Sequence, residues 1–501
     1  MKKTIVIGAG FAGLSAAACL AKEGFDVVVL EKNATPGGRA RQFQSDGFVF
    51  DMGPSWYWMP DVFERFFHRF EKNVSDYYHL KRLDPSYRVY YADGDFIDVP
   101  AGIPALMQLF EKVEPGSASA LKKFLDEGAY KYAAGMKTLV YKPGLSVREL
   151  LDIDLLKGIW KLNLFQSLSR YVRKFFRDPR LISLLEFPVL FLGASPQKIP
   201  ALYSLMNYAD MALGTWYPMG GMYKIVEGMV KVAEEQGVTF KYDHAVTDIE
   251  VSNNSVRGVW TDGKYHPADF VLATADYHHV ERDLLAPGAA QYSERYWNDR
   301  ILAPSCLIFF LGLNKKVPNL LHHTLFFDED IERHLSEIYD LPKWPTAPQF
   351  YVCCPSKSDD QVAPEGCENL FVLIPVAPGL SDGESVREKY FEMVIRRIEK
   401  LTGESLMPHI IFKRSYAHND FKSDYNAFKG NAYGLANTLL QTANLKPRIA
   451  SNKLNNFFYA GQLTAPGPGV PPSLISGQVA AGELLKRHKP HSKQSASPNV
   501  K

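Results

Sequence analysis

The first 60 residues alternate between apolar runs and glycine-rich turns. Residues 4–7 and 26–31 are apolar runs of strand length, and residues 14–22 repeat apolar positions at helical spacing. One glycine turn precedes the helix, and a second follows residue 31. Strand, glycine turn, helix and strand in this order form a βαβ unit. We therefore expect the chain to begin with a Rossmann-type α/β domain.

Short strands return twice in the remainder of the chain. The apolar spacing predicts helices over residues 105–211. It predicts a strand, a Gly/Pro-rich turn and a helix over residues 456–487. The expected strands between these blocks form a meander added to the first domain and then a second sheet: 238–242, 245–251, 255–261 and 270–273, followed by 306–311, 349–353 and 369–375.

These patterns predict a discontinuous first domain built from three parts of the chain. We expect an α/β fold that is divided as follows: residues 1–104, 222–300 and 447–488 form the Rossmann-type domain, residues 105–221 a helical insertion, residues 301–446 a second domain with a mixed sheet, and residues 489–501 a disordered tail.

Composition removes several classes of function. The chain has 501 residues, 46% of them hydrophobic, and a net charge of only +2, which argues against nucleic-acid binding. No run approaches the roughly 18 to 20 apolar residues of a membrane-spanning helix, and the start Met1-Lys2-Lys3 lacks a signal-peptide pattern. The five cysteines form no CxxC pair and no metal-ligand spacing. We expect a cytoplasmic protein without a metal site.

Three glycines after the first strand indicate a phosphate-binding turn. Gly8, Gly10 and Gly13 form G-x-G-x-x-G between strand and helix. The first allows the tight turn, the second lets the backbone approach a pyrophosphate, and the third lets helix and strand pack closely. Glu31 ends the second strand, where its carboxylate can accept hydrogen bonds from a ribose diol and repel a 2′-phosphate.

A second glycine element follows Glu31. Gly37, Gly38 and Arg39 offer close backbone approach and a guanidinium able to pair with a diphosphate. The combination resembles the FAD-binding signature shared by amine oxidases, protoporphyrinogen oxidases and carotenoid desaturases, which implies FAD. No second G-x-G-x-x-G exists for NAD(P)H. The flavin must therefore pass electrons to an outside acceptor, either oxygen or a membrane quinone.

Later motifs resemble the bacterial-type phytoene desaturase family over nearly the whole chain. They are the segments 50–55, 216–221, 268–279, 431–435, 459–461 and 464–471. The resemblance implies that FAD also contacts Gly53, Pro54, Ser55, Val246, Asp276, Gly461, Gly469, Val470 and Pro471. Asp276 is equally suited to capping a helix. Backbone amides at the helix after the 464–471 turn can stabilise negative charge on a reduced flavin. Two departures from the family stand out, Gln462 and Ala465, the latter where many members have histidine.

The family implies a long polyene lipid substrate and hydride transfer to FAD. Such a substrate needs an apolar tunnel that opens onto a bilayer, and residues 164–177 predict an amphipathic, cationic helix for peripheral membrane binding. The helical insertion would then be the membrane-associating part. Trp56, Tyr57 and Trp58 would line the tunnel or simply pack in the core. No residue pair stands out as a catalytic base.

Alternatives to a phytoene desaturase remain open on the sequence. A hydroxycarotenoid 3,4-desaturase would differ only in the polarity of the tunnel end. A flavin-dependent carotenoid isomerase would alter polyene geometry without consuming an acceptor. An amine oxidase is less favoured because a cysteinyl flavin is sometimes found there, and no cysteine follows Cys367.

Overall fold

The computed structural model describes residues 1–145, 162–193 and 195–488. The tail 489–501, expected to be disordered, lies outside the described residues. All five cysteines are free thiols.

A five-stranded parallel sheet forms the first layer, in the order β19-β13-β1-β2-β9. Its strands come from three distant parts of the chain: β1 (Lys3–Ile7), β2 (Asp26–Leu30), β9 (Thr239–Lys241), β13 (Phe270–Ala273) and β19 (Phe457–Tyr459). The first helix, Phe11–Lys22, covers it and is almost entirely buried. The central strands are nearly continuous apolar runs because both of their faces are covered.

The expected meander between residues 238 and 273 is wrong in its first and last members. β9 and β13 join the parallel sheet, whereas the antiparallel meander consists of β10 (Val246–Ser252), β11 (Ser255–Thr261) and the unforeseen β12 (Lys264–Pro267). All four residues of β13 are buried, as befits an inner strand, while β12 is largely exposed.

A seven-stranded mixed sheet forms the second layer, in the order β18-β14-β17-β16-β15-β6-β7. Only β15 and β6 pair in parallel. The strands are β6 (Tyr87–Tyr91), β7 (Phe96–Val99), β14 (Ser305–Leu313), β15 (His323–Phe327), β16 (Phe350–Cys353), β17 (Glu368–Val376) and β18 (Ile410–Tyr416). β6 and β7 lie within residues 1–104, yet they belong to this sheet, because β6 pairs with β15 and β7 pairs with β6.

Smaller pairs and the helices complete the fold. The pairs are β3 (Gln42–Ser45) with β4 (Phe48–Asp51) and β5 (Leu80–Arg82) with β8 (Trp216–Pro218). The other α-helices are Pro60–His68, Ile103–Val113, Ser117–Ala134, Leu168–Val172, Pro179–Glu186, Leu205–Tyr208, Tyr223–Glu235, Tyr277–His279, Glu294–Asn298, Ile331–Tyr339, Glu384–Thr402, His418–Tyr425 and Val470–His488.

The prediction of one long amphipathic helix over residues 164–177 is wrong. Only Leu168–Val172 is helical, with the Ser167 side chain capping its first turn. Asp178 then caps the next helix, so the chain turns between the two. No helix among the described residues combines the length and apolar character that crossing a bilayer requires.

Candidate functional site

A cavity of about 580 Å³ opens at the carboxyl ends of β1, β2 and β13, where open α/β sheets bind ligands. Its far wall comes from the second sheet, through Cys306 and Ile308 of β14 and Leu373 of β17. Its volume lies within the usual range of cofactor pockets, roughly 300 to 1,000 Å³.

The glycine loop is built for close approach. Gly8 has φ +100°, which favours glycine, and both Gly8 and Gly10 line the cavity. Gly13 lies behind them, where a β-carbon would collide with the Gly8 carbonyl oxygen. Thr274, unforeseen from the sequence, donates from Oγ1 to the carbonyl oxygens of Ile7 at 2.8 Å and Gly8 at 3.0 Å. The loop is therefore held from the neighbouring strand as well as from its own helix.

Glu31 lies in the cavity wall, at the same end as Val246. Its Oε2 accepts a hydrogen bond from the Ala9 backbone N–H at 2.8 Å, and its Oε1 accepts from the Asn33 backbone N–H at 2.9 Å. The carboxylate is almost fully buried. These bonds fix its orientation and leave lone pairs that a ribose diol could use. The ribose contact expected from the sequence stays a prediction.

Arg39 is a buried cation in the cavity wall. Gly38 brings it there, since a β-carbon on Gly38 would lie 3.3 Å from Gly10 Cα. Arg39 Nη2 donates to the Asn431 carbonyl oxygen at 3.2 Å, and Nε has no partner among the described residues. The Gln462 amide oxygen, assigned to the side that faces two donors, lies 3.2 Å from Nη1 and 3.1 Å from Nη2. An anionic ligand would complete this set.

Asp276 lines the cavity and also caps a short helix, so the expected cap is confirmed and the expected contact with FAD stays a prediction. Its Oδ1 accepts from the His278 backbone N–H at 3.1 Å, and its Oδ2 from the Phe428 N–H at 3.3 Å. Burial raises the pKa of Asp276, and the neighbouring Arg39 opposes that rise. Burial likewise lowers the pKa of Arg39 while Asp276 opposes it, so each ion partly compensates the other.

The 53–55 segment divides between two cavities. Gly53 and Pro54 line the main one. Ser55 instead faces a small neighbouring cavity of about 20 Å³ and accepts a hydrogen bond from the Tyr351 hydroxyl at 3.0 Å. Its expected contact with the cofactor is therefore not supported by the geometry, because its side chain is held by the second sheet.

The C-terminal turn brings a second helix N-terminus to the cavity. Gly461, Gly469 and Val470 line it, whereas Pro471, in the first turn of the Val470–His488 helix, does not. The Gly461 N–H donates to Ser476 Oγ at 3.0 Å, which anchors the turn to that helix. Two helices therefore direct their positive ends at the cavity, the first helix and this one.

The tryptophan-rich segment does not line the cavity as far as the described residues define it. Tyr57 and Trp58 are buried, and Trp58 Nε1 donates to Thr215 Oγ1 at 2.9 Å. Trp56 stacks on His323 with ring centroids 4.0 Å apart. Packing in the core thus accounts for the cluster.

The residues present fit a flavin dinucleotide. Glu31 suits a ribose, the glycine loop and Arg39 suit a diphosphate, and the second helix N-terminus suits an electron-rich ring. Sequence reasoning missed several wall residues that come from distant segments without a local motif: Cys306, Ile308, Leu373, Asp424 and Tyr425. It also missed three residues inside or beside the motifs, because no local signal indicated that their side chains face the cavity: Asn33, Thr274 and Tyr433.

Comparisons with known proteins agree with this geometry. The family of flavin containing amine oxidoreductases matches residues 11–485. A carotenoid 3,4-desaturase of Haloarcula japonica is 43% identical, covering 96% of this chain and 97% of its own. A zeta-carotene-forming phytoene desaturase of Myxococcus xanthus is 34% identical, covering 97% and 94%. A solved double mutant of putrescine oxidase superposes with a TM-score of 0.62 at 14% identity, covering 97% and 99%, which shows a shared fold.

Proposed function

Because the chain belongs to the flavin-containing amine oxidoreductases and, within them, to the carotenoid desaturases, we propose that it introduces a double bond into a carotenoid. It is an FAD-dependent oxidoreductase that acts on CH–CH bonds. The first substrate class that we propose is a carotenoid with a saturated C3–C4 bond, and phytoene is the second. The greater identity to the 3,4-desaturase supports this order, which reverses the first expectation from the sequence.

The apolar far wall of the cavity carries this proposal. Cys306, Ile308 and Leu373 come from the second sheet and line the cavity together with Glu31 and Arg39. A hydrocarbon chain gains free energy from such a wall, whereas an amine would lose hydration there without an ionic partner. The geometry therefore favours a polyene over a polar substrate.

The residues of this chain position the reactants. Glu31 would hold the ribose, Arg39 and the glycine loop the diphosphate, and the Val470–His488 helix would direct its positive end at the ring. FAD, when bound, accepts hydride from an allylic carbon of the substrate while a proton leaves the adjacent carbon. The apolar side chains of Cys306, Ile308 and Leu373 would limit the access of water to the reacting carbons.

The test is anaerobic mixing of the FAD-loaded chain with liposomes that contain either a 3,4-saturated carotenoid or phytoene. We expect the visible flavin band to bleach and a product with a longer conjugated chain to appear. Bleaching with phytoene alone would reverse the substrate order. A geometric isomer formed without bleaching would instead identify the isomerase, and no reaction with either lipid would contradict the proposal.

We further propose that the chain binds the cytoplasmic surface of a membrane through a cluster of exposed apolar side chains. They are Phe165, Ile301, Leu341, Leu440 and Leu445. Segment 198–203 forms hydrogen bonds to three of their loops. The Ala201 N–H donates to the Gln166 carbonyl oxygen at 2.7 Å, and Lys198 Nζ donates to Asp340 Oδ1 at 2.6 Å. The Tyr203 hydroxyl lies 3.5 Å from Thr442 Oγ1, and the Ile301 N–H donates to Gln441 Oε1 at 2.9 Å. An exposed apolar group of this kind is typical of an interaction surface.

Flotation with anionic phospholipid vesicles tests this surface. The double variant Phe165→Ser/Leu440→Ser should lose vesicle binding, while Ile411→Ser, at a less exposed apolar residue on the second sheet, should retain it. Equal flotation of both variants would contradict this surface, and a wild-type chain that fails to float would contradict membrane binding. A membrane location would also favour a quinone over oxygen as the electron acceptor that we propose, and quinone-dependent reoxidation of the flavin in the same vesicles would support it.

A further inference from the structure

A second cluster of chemically reactive side chains lies in the seven-stranded sheet, outside the cofactor cavity. His322, His323 and Cys353 are each less than 5% exposed. One imidazole nitrogen from each histidine and the Cys353 thiol lie within 4.8 Å of one another. β15 and β16 bring them together, since His323 pairs directly with Cys353 in the antiparallel register. The 30-residue separation explains why no motif reveals the cluster.

Three imidazole nitrogens in this cluster have no hydrogen-bond partner among the described residues. They are both ring nitrogens of His322 and Nε2 of His323. Buried polar atoms in native proteins are almost always paired with a protein group, a water or an ion. Orphan nitrogens that converge on a thiol therefore point to a bound group rather than to ordinary packing.

His323 is oriented as a metal-binding histidine would be. The Tyr351 hydroxyl donates to Ser55 Oγ at 3.0 Å, so its oxygen accepts from His323 Nδ1, 2.6 Å away. This chain of bonds assigns the ring proton to Nδ1 and leaves a lone pair on Nε2. Trp56 stacks on the ring and fixes its plane. A hydrogen bond to the non-ligating nitrogen is the usual support of a metal-bound histidine.

The space beside the cluster fits one small occupant. His322, Cys353 and Asp51 line the neighbouring cavity of about 20 Å³, room for a single water-sized particle.

We propose that His322, His323 and Cys353 bind one thiophilic metal ion, zinc(II) or copper(I). Imidazole and thiolate are the ligands that both ions prefer. Binding forms two metal–nitrogen bonds and one metal–sulfur bond, and it releases one proton, the thiol proton of Cys353. The thiolate neutralises copper(I) by itself, while zinc(II) would also draw on the carboxylate of Asp51 in the same cavity. One binding experiment with each metal determines which of the two ions the site holds.

The experiment uses the full chain loaded with FAD. After incubation with zinc(II), or anaerobically with copper(I), and removal of free metal, elemental analysis should find about one bound ion per chain for one of the two metals. Cobalt(II), a spectroscopic substitute for zinc, should give a thiolate-to-metal charge-transfer band in the wild-type chain. Less than about a tenth of an ion per chain with either metal, together with a cobalt spectrum that lacks this band, would overturn the proposal in favour of a buried water.

Matched variants locate the site. Cys353→Ser and His322→Ala should lose the ion, while Cys354→Ser, the neighbouring buried cysteine whose thiol lies 3.4 Å from Ser356 Oγ, should keep it. Retained FAD absorbance shows that each variant is folded. The cobalt spectrum of the wild-type chain tests metal binding even if a variant fails to fold. Equal metal binding by Cys353→Ser and the wild-type chain would overturn the assignment.

Discussion

Two buried cations near the cofactor cavity have opposite surroundings. Arg39 lies in the cavity wall, bonded to the Asn431 carbonyl oxygen and compensated by Asp276. Lys446 is more completely buried, yet its Nζ has no partner among the described residues. It faces the C-terminal turn, where a β-carbon on Gly467 would lie 3.3 Å from Nζ and 3.0 Å from Asn437 Oδ1.

The two residues therefore differ in protonation: Arg39 stays charged and can bind an anionic ligand, whereas burial favours the neutral form of Lys446. Arg39 retains its proton because a guanidinium is very basic and an anion lies close by. Burial alone lowers the pKa of Lys446 to about 7. The amine is therefore about half neutral near neutral pH, and folding must remove a proton that the unfolded chain holds.

The largest expected effect is on stability, from Lys446→Met. The folded pKa of about 7 lies well below the ordinary value of 10.5. The resulting penalty is absent well above pH 10.5, reaches about 4 kcal/mol at pH 7 and levels off near about 5 kcal/mol at lower pH. Lys446→Met removes it, so thermal unfolding should move to higher temperature at pH 7 and change little at pH 10.

Lys453→Met is the control, because this lysine is exposed in a nearby loop. It should leave the unfolding temperature almost unchanged at both pH values. A lower unfolding temperature for Lys446→Met would mean that an anion accompanies the ammonium group, and the contrast with Arg39 would fail.

The next effect in size is on FAD affinity, from Arg39→Met. Arg39 Nε has an N–H donor without a partner among the described residues, and a diphosphate oxygen could accept from it. A hydrogen bond to a charged group contributes roughly 1.5 to 3 kcal/mol to binding. FAD binding, followed by flavin fluorescence, should weaken by about ten- to a hundredfold. Arg41→Met is the matched control, since Arg41 pairs with Asp424 and does not line the cavity. Equal losses in both variants would assign the effect to folding rather than to the diphosphate.

The cofactor end of the molecule was predictable because its information is local. Gly8, Gly10 and Gly13 lie within six residues, and Glu31 ends the next strand, so spacing alone predicted that they lie together at one edge of the sheet. Their contacts with FAD stay predictions. Arg39 followed from the adjacent glycines in the same way. Parallel pairing of β1 and β2 then brings these local elements to one edge.

The parts that sequence reasoning missed depend on contacts between distant segments. Thr274 bonds to Gly8 only because β13 lies beside β1, and Ser55 turns away from the cofactor because Tyr351 holds it. The apolar spacing over residues 164–177 indicated one helix, but the caps at Ser167 and Asp178 divide the segment. The spacing of residues along the chain reveals neither contacts between distant strands nor the caps that divide a helix.

The smallest expected effect comes from Asp276→Asn, which alters the compensation of Arg39 without removing its other partners. The asparagine oxygen can still accept from the His278 N–H, so the short helix keeps its cap. Without the negative charge of Asp276, the positive charge of Arg39 attracts the FAD diphosphate more strongly. FAD should therefore bind a few-fold more tightly, by about 0.5 to 1 kcal/mol, and added salt should reduce this gain. Glu281→Gln serves as the control, because Glu281 is a buried carboxyl group that accepts the Gln291 and Tyr292 N–H bonds away from the cavity wall. If Asp276→Asn instead weakens FAD binding while Glu281→Gln does not, Asp276 contacts the cofactor itself, and its main role is then that of a ligand rather than a counter-ion.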